Sequence, residues 1–263
     1  MLELNWGSAT DVGRIRQLNE DSYWATEGLY VVADGMGGHA AGEVASDLAV
    51  GALRQVTELE PLRAEDITTA IWRANEVILK AGAERGDRLG MGTTLAGIAV
   101  VSAAGTDHWA VFNVGDSRVY RFAGGMLSQL TVDHSEVQEL VSAGQLTREE
   151  ARFHPRRNVV TRSLGSEPAP AADVWVFPPE AHERFLVCSD GLTGEVDDAE
   201  IAQVLHDVTD PQEAAEELVR RANSNGGHDN VTAIVVDLIS VRHSTDADQV
   251  TAPTRVQNGG MPR

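Results

Sequence analysis

Four aspartates in this chain stand where an apolar, strand-like run meets a turn. They are Asp34 in Tyr30-Val31-Val32-Ala33-Asp34-Gly35, Asp116 after Val111-Phe112-Asn113-Val114-Gly115, Asp190 in Phe185-Leu186-Val187-Cys188-Ser189-Asp190-Gly191, and Asp229 in Asp229-Asn230-Val231-Thr232. A carboxylate at the end of a rigid strand is aimed by its backbone, whereas one on a helix face is usually solvated. Singly, each reads as an ordinary turn residue. If the four converge, they cannot all stay ionised without a cation, because like charges at close range raise one another's pKa and a hard divalent ion relieves the repulsion. Ligation by oxygen alone selects Mg²⁺ or Mn²⁺ over zinc or copper. A fifth locus, Arg16-Gln17-Leu18-Asn19-Glu20-Asp21, sets an arginine four and five residues before two acids. Arginine grips phosphate bidentately, and the acids are suited to hold metal or metal-bound water.

Other hydrolytic devices are missing. The only cysteine, Cys188, has Gly194 six residues on, so the Cys-x5-Arg phosphate loop is absent. Neither a G-x-S-x-G elbow nor a Walker loop occurs. A lone cysteine also excludes an intrachain disulfide and a cysteine-based zinc cage, and Cys188 reads as a buried strand residue.

Elements that position these residues are legible as short apolar runs at Leu29–Ala33, Thr94–Val101, Trp109–Val114, Arg118–Phe122, Leu127–Leu130, Val174–Phe177, Phe185–Cys188 and Val231–Leu238. Gly124-Gly125 signals a hairpin between two of them. Helical spacing of apolar residues spans 40–56 and 66–81, with Gly82 expected to end the second, and Ser135, Thr147 and Asp210-Pro211 stand at helix-start spacing from Gln138, Glu150 and Glu213. The strands come in consecutive groups rather than in strict alternation with helices, which favours an α+β arrangement of antiparallel sheets packed with helices.

The 263 residues (28.2 kDa) are 42% hydrophobic and 23% charged, within the range of ordinary globular proteins. The net charge is −19, with Lys80 the single lysine. Such an acidic body argues against nucleic acid or an anionic membrane as partner. No apolar run suits a membrane span, and Met1-Leu2-Glu3-Leu4 has no targeting pattern, so a cytoplasmic location is expected. One domain is expected over 1–242, followed by a disordered polar tail over 243–263.

In seven ordered stretches the chain resembles the metal-dependent protein phosphatases of the PPM (PP2C) type, in their bacterial form. The stretches run from Thr10-Asp11-Val12-Gly13 through Arg16 to Asn19-Glu20-Asp21-Ser22, then Asp34-Gly35-Met36-Gly37-Gly38-His39, Met91-Gly92-Thr93-Thr94, Asn113-Val114-Gly115-Asp116-Ser117-Arg118, Thr131-Val132-Asp133-His134-Ser135, Ser189-Asp190-Gly191-Leu192-Thr193, and Asp229-Asn230-Val231-Thr232. The resemblance implies a four-layer α-β-β-α sandwich, two antiparallel sheets flanked by helices, with a metal centre at one edge. It implies that Asp34 bridges two metals, that Gly35 offers its carbonyl to the second, and that Asp190 and Asp229 hold the first. Asp116, with Asp190, matches the ligands of a third metal. Glu20 matches a position on the second metal, Asp21 one that orders a bridging water, and Arg16 the phosphate-binding arginine. Many eukaryotic members carry histidine directly after Asp-Gly; Met36 stands there, leaving His39 as a candidate general acid. Asp133, His134 and Ser135 are expected to be structural.

The implied activity is hydrolysis of phosphoserine and phosphothreonine in proteins by a water activated between two Mn²⁺ or Mg²⁺ ions, without a protein nucleophile. The implied setting is a monomer opposing a cytoplasmic Ser/Thr kinase. Arg148, Arg152, Arg156, Arg157 and Arg162 form a basic island in the region the family uses as a flap, about 135–168, and Arg156 and Arg157 are candidates for gripping phosphopeptide. Alternatives are a phosphatase dedicated to one phosphoprotein, of the anti-sigma-factor antagonist type, a non-catalytic phosphoprotein-binding module, and a hydrolase of small phosphate esters. A binding module is expected to have lost Asp34, Asp190 or Asp229, and all three are present.

Overall fold

The computed structural model describes residues 2–37, 41–84 and 90–241. Two antiparallel sheets lie face to face. One has the strand order β1 (Leu2–Asp11), β11 (Val231–Val241), β10 (Arg184–Cys188), β7 (Arg118–Ala123), β8 (Met126–Gln129). The other runs β2 (Asp21–Thr26), β3 (Leu29–Met36), β5 (Leu95–Ala103), β6 (Thr106–Val114), β9 (Asp173–Phe177), with the two-residue β4 (Gly92–Thr93) on the end of β3. Helices α1 (Ala41–Arg54) and α2 (Ala64–Glu84) cover the second sheet; α6 (Asp198–Asp207) and α7 (Pro211–Asn225) cover the first. This is the expected four-layer sandwich.

The layering explains why the strands read as unbroken apolar runs. Antiparallel strands usually alternate apolar and polar because one face meets water, but here both faces are covered. Along β3, Leu29, Val31 and Ala33 pack toward α1 and α2, while Tyr30 and Val32 pack into the layer between the sheets. Along β10, Leu186 and Cys188 face α6 and α7, while Phe185 and Val187 face inward.

All eight expected strands form, and so do the helices with start signals. Ser135 accepts from the Gln138 N–H at the start of α3 (Glu136–Ser142), Thr147 and Glu150 form a reciprocal capping box on α4 (Arg148–Arg152), and Asp210 accepts from Gln212 and Glu213 ahead of Pro211. Gly124 and Gly125 make the β7–β8 turn at φ values of 58° and 79°. The expectation for Gly82 is corrected: it is buried inside α2, which runs on to Glu84, because packing against the sheet outweighs a glycine's modest helix cost. The tail over 243–263 lies outside the described residues, and among those residues no helix is long and apolar enough to cross a membrane.

One close approach positions the site. A Cβ on Gly35 would lie 2.2 Å from the Gly42 carbonyl oxygen, and one on Gly42 would lie 2.8 Å from Gly35. Only this glycine pair lets the first turn of α1 rest on the end of β3, beside Asp34.

Candidate metal centre

The carboxylates converge at one edge of the sandwich, carried there by strand ends from both sheets. Asp34 ends the buried part of β3, and its peptide is clamped from across the strand. Its N–H donates to Thr94 Oγ1 (3.0 Å), and its carbonyl accepts from Thr93 Oγ1 (2.8 Å) and from the Thr94 N–H (2.9 Å). Thr94 Oγ1 also meets Ser117 Oγ at 2.7 Å, which ties β3 to the turn carrying Asp116. That turn is held in its own right. The Gly115 N–H donates to His134 Nδ1 (3.0 Å), the His134 N–H returns a bond to the Gly115 carbonyl (2.9 Å), and His134 Nε2 lies 3.1 Å from Asp173. Asp133 takes a bidentate grip from Arg118, so this stretch is structural, as expected.

Asp190 opens the short helix α5 (Asp190–Thr193) directly after β10, and Asp229 precedes β11. Asn230 fixes the loop between β1 and β2: its Nδ2 donates to the carbonyls of Val12 and Leu18 (both 2.9 Å), and its Oδ1 accepts from the Glu20 N–H (2.8 Å). That loop delivers Arg16, whose Nη2 donates to Asp229 Oδ2 at 2.7 Å while its side chain stays half exposed. Asp21, on the second sheet, reaches the first: its Oδ2 accepts from Ser189 Oγ (2.8 Å) and Thr232 Oγ1 (2.7 Å).

The structure therefore brings together Arg16, Glu20, Asp21, Asp34, Gly35, Asp116, Asp190 and Asp229. His39 lies outside the described residues. The two flap arginines part company: Arg156 is ion-paired with Glu136 inside the flap, whereas Arg157 lines a cleft that reaches Asp116 and Asp190. The positioning residues Thr93, Thr94, Ser189, Asn230 and Thr232 were not assigned roles from sequence. They lie within the ordered stretches, but their work is to hold backbone atoms and one carboxylate oxygen, which no residue type announces.

A family model described as protein phosphatase 2C matches residues 16–232. The chain belongs to the protein phosphatase 2C family. It is 39% identical over 252 residues to the serine/threonine phosphatase stp of Listeria innocua, covering 90% of this chain and 97% of that protein. Among solved structures it is similar to the Mycobacterium tuberculosis serine/threonine phosphatase PstP/Ppp, with a TM-score of 0.85, 38% identity, and 90% and 99% of the two chains covered. It is also similar to the PstP catalytic domain in complex with two manganese ions, with a TM-score of 0.82, 37% identity, and 91% and 100% covered.

The family's cations suit the donor set in this chain. Glu20 Oε1, Asp21 Oδ1 and Asp190 Oδ1 are buried with no hydrogen-bond partner, which is costly for carboxylate oxygens unless something positive meets them. Burial, and then the charges of Asp21, Asp190 and Asp116, drive the Asp34 carboxyl well above the ordinary range. Burial and the Asp190 charge raise Asp116 likewise. Burial raises Asp21 to about 7 against the bonds from Thr232 and Ser189. Among the described residues no three His, Cys, Asp or Glu side chains are gathered closely enough to hold a cation alone. A cation bound here would need further oxygens beside the carboxylates, of the kind a backbone carbonyl or water offers and hard cations accept. Cys188 is buried in β10 with its thiol pushed up to about 12 by that burial, so no thiolate competes as nucleophile.

Proposed function

We propose that this carboxylate centre hydrolyses phosphoserine and phosphothreonine in proteins with two divalent cations, Mn²⁺ or Mg²⁺. That the chain is a metal-dependent serine/threonine protein phosphatase follows from its family; the assignment of individual residues is the proposal. Asp34 would bridge both cations, with Asp190 and Asp229 on the first and Gly35 and Glu20 on the second. Asp116 would join Asp190 at a third. Bound there, the cations lower the pKa of water toward neutrality and neutralise the charge of the phosphoryl group. The single observation that supports the set most strongly is the group of buried, unpartnered carboxylate oxygens, Glu20 Oε1, Asp21 Oδ1 and Asp190 Oδ1, which is costly without added positive charge.

The chain's own residues supply orientation. Arg16 is anchored at one Nη by Asp229 and keeps its other donors toward solvent, suited to a phosphate arriving at the edge of the sandwich. Asp21 is pinned through Oδ2 by two hydroxyls, which leaves Oδ1 to hold the attacking water and accept its proton. The substrate is a phosphoprotein, and the proposal includes a cognate Ser/Thr kinase, a cytoplasmic setting and a monomeric enzyme.

Acid quench of a phosphothreonine-peptide reaction during its first turnover tests the direct route. The expected result is phosphate release in step with peptide dephosphorylation, with no phosphorylated protein trapped. A phosphoenzyme burst would overturn it.

A further inference from the structure

We propose that the cleft beside the metal centre is a subsite for an anionic side chain flanking the phosphoresidue, a carboxylate or a second phosphate, held by Arg148, Arg152 and Arg157. The inference rests on the phosphatase reading above and adds a substrate preference to it. The cleft has a volume of about 560 Å³ and begins at Asp116 and Asp190, so it is continuous with the place where the scissile phosphate must sit. Its far wall is the flap, where Arg148 and Arg152 lie one helical turn apart on α4 and Arg157 follows in the turn beyond.

What singles out these three is that they have no partner. Around the site, Arg16 is paired with Asp229, Arg118 with Asp133, Arg156 with Glu136 and Arg162 with Asp173. Arg148, Arg152 and Arg157 make no side-chain hydrogen bond or ion pair among the described residues, in a chain whose net charge is −19 and which has acids to spare. The acids across the cleft are already engaged. Asp133 is held by Arg118, Asp197 caps α6, and Asp198 accepts from the Tyr120 hydroxyl. Apart from the metal-site aspartates, Glu149 is the one lining carboxylate without a partner among the described residues. Three guanidinium groups without a protein partner thus stand along the cleft where a substrate segment must pass. Guanidinium forks fit carboxylate and phosphate equally well, which sets the ligand chemistry.

The test is a panel of phosphothreonine peptides in which a neutral side chain at successive positions on either side is replaced by glutamate or by a second phosphothreonine. The readout is the ratio of kcat/KM for the anionic peptide to that for the neutral one. In the parent protein the ratio should reach about tenfold, equivalent to about 1.4 kcal/mol, and shrink as salt rises, because the arginines are exposed and screened. In the Arg148→Gln/Arg152→Gln/Arg157→Gln protein, and in part in Arg152→Glu alone, it should fall toward one. The arm with the larger ratio names the source of the anion. A parent ratio of one at every position, or an undiminished ratio in the variants, would overturn the subsite. Fluorescence anisotropy with the same peptides on the Asp34→Asn protein gives the ratio without turnover. An inactive parent would then count against the phosphatase reading, while the binding ratio still decides the subsite.

Discussion

Asp34→Asn should abolish metal-dependent turnover and, at the same time, raise the melting temperature of the chelated protein. Asp34 is the carboxylate on which the others converge, and losing it should cost about a thousandfold or more in rate, several kcal/mol of transition-state stabilisation. The stability effect has the opposite sign. Burial and the charges of Asp21, Asp190 and Asp116 raise the Asp34 carboxyl well above the ordinary range, and burial raises Asp21 to about 7. An acid whose pKa is higher in the folded than in the unfolded chain binds more protons when folded, so stability falls as pH rises between the two values. In chelator, the parent protein should therefore lose melting temperature from about pH 4 to above pH 7. Asparagine keeps a hydrogen-bonding group beside Asp190 and removes one of the coupled acids, so the variant should melt higher, with a shallower pH slope. Saturating Mn²⁺ should reverse the order, since a ligand at a hundred times its Kd adds about 2.7 kcal/mol to the state that binds it. A chelated Asp34→Asn protein that melts below its parent, or with the same pH slope, would show that the carboxylates do not repel one another.

Gly191→Ala should damage fold and activity together. A Cβ at Gly191 would stand 1.9 Å from the backbone oxygen of Asn230. No side-chain rotation relieves a clash with backbone, so α5 and the start of β11 must separate. Overpacking of this kind costs about 1–3 kcal/mol or more. The separation falls between Asp190 and Asp229, each next to one of the clashing residues, and it displaces the Asn230 amide that holds the loop of Arg16 and Glu20. A displacement near 1 Å at a reacting centre lowers kcat about a hundredfold. Gly51→Ala is the control: it lies in α1 with nothing within 4 Å of the added Cβ and should stabilise by about 0.5–1 kcal/mol. Thermal melts and phosphopeptide kinetics on both proteins check the pair. A Gly191→Ala protein with parental activity would mean that the two strand ends need not be in register for catalysis.

The convergence of the acids was legible because each follows a run of apolar residues, and such runs become strands whose ends collect at one edge of a sandwich. Less legible were β1 and β2. Leu2, Leu4 and Trp6 do alternate toward the layer between the sheets, but the intervening Glu3 and Asn5 and the polar Ser8 and Thr10 break the run. The short β2, at the sheet edge, has no fully buried residue to mark it. Harder still was the clamp on Asp21, which draws Ser189, just past β10, and Thr232 of β11 from segments remote in sequence. Two hydroxyls and one carboxylate become a unit only once the sheets are stacked. The flap shows the same limit in reverse: five arginines look alike in the sequence, and only the fold separates Arg156 and Arg162, which are paired, from the three that face the cleft.

The most direct measurement is phosphate release from a phosphothreonine peptide by the parent protein with Mn²⁺, after chelation, and after Mn²⁺ is restored. The account predicts release with Mn²⁺, none above background in chelator, and full recovery on restoring the ion, because the attacking water depends on the cation for its activation. Undiminished release in chelator, from protein verified to be free of metal, would contradict it.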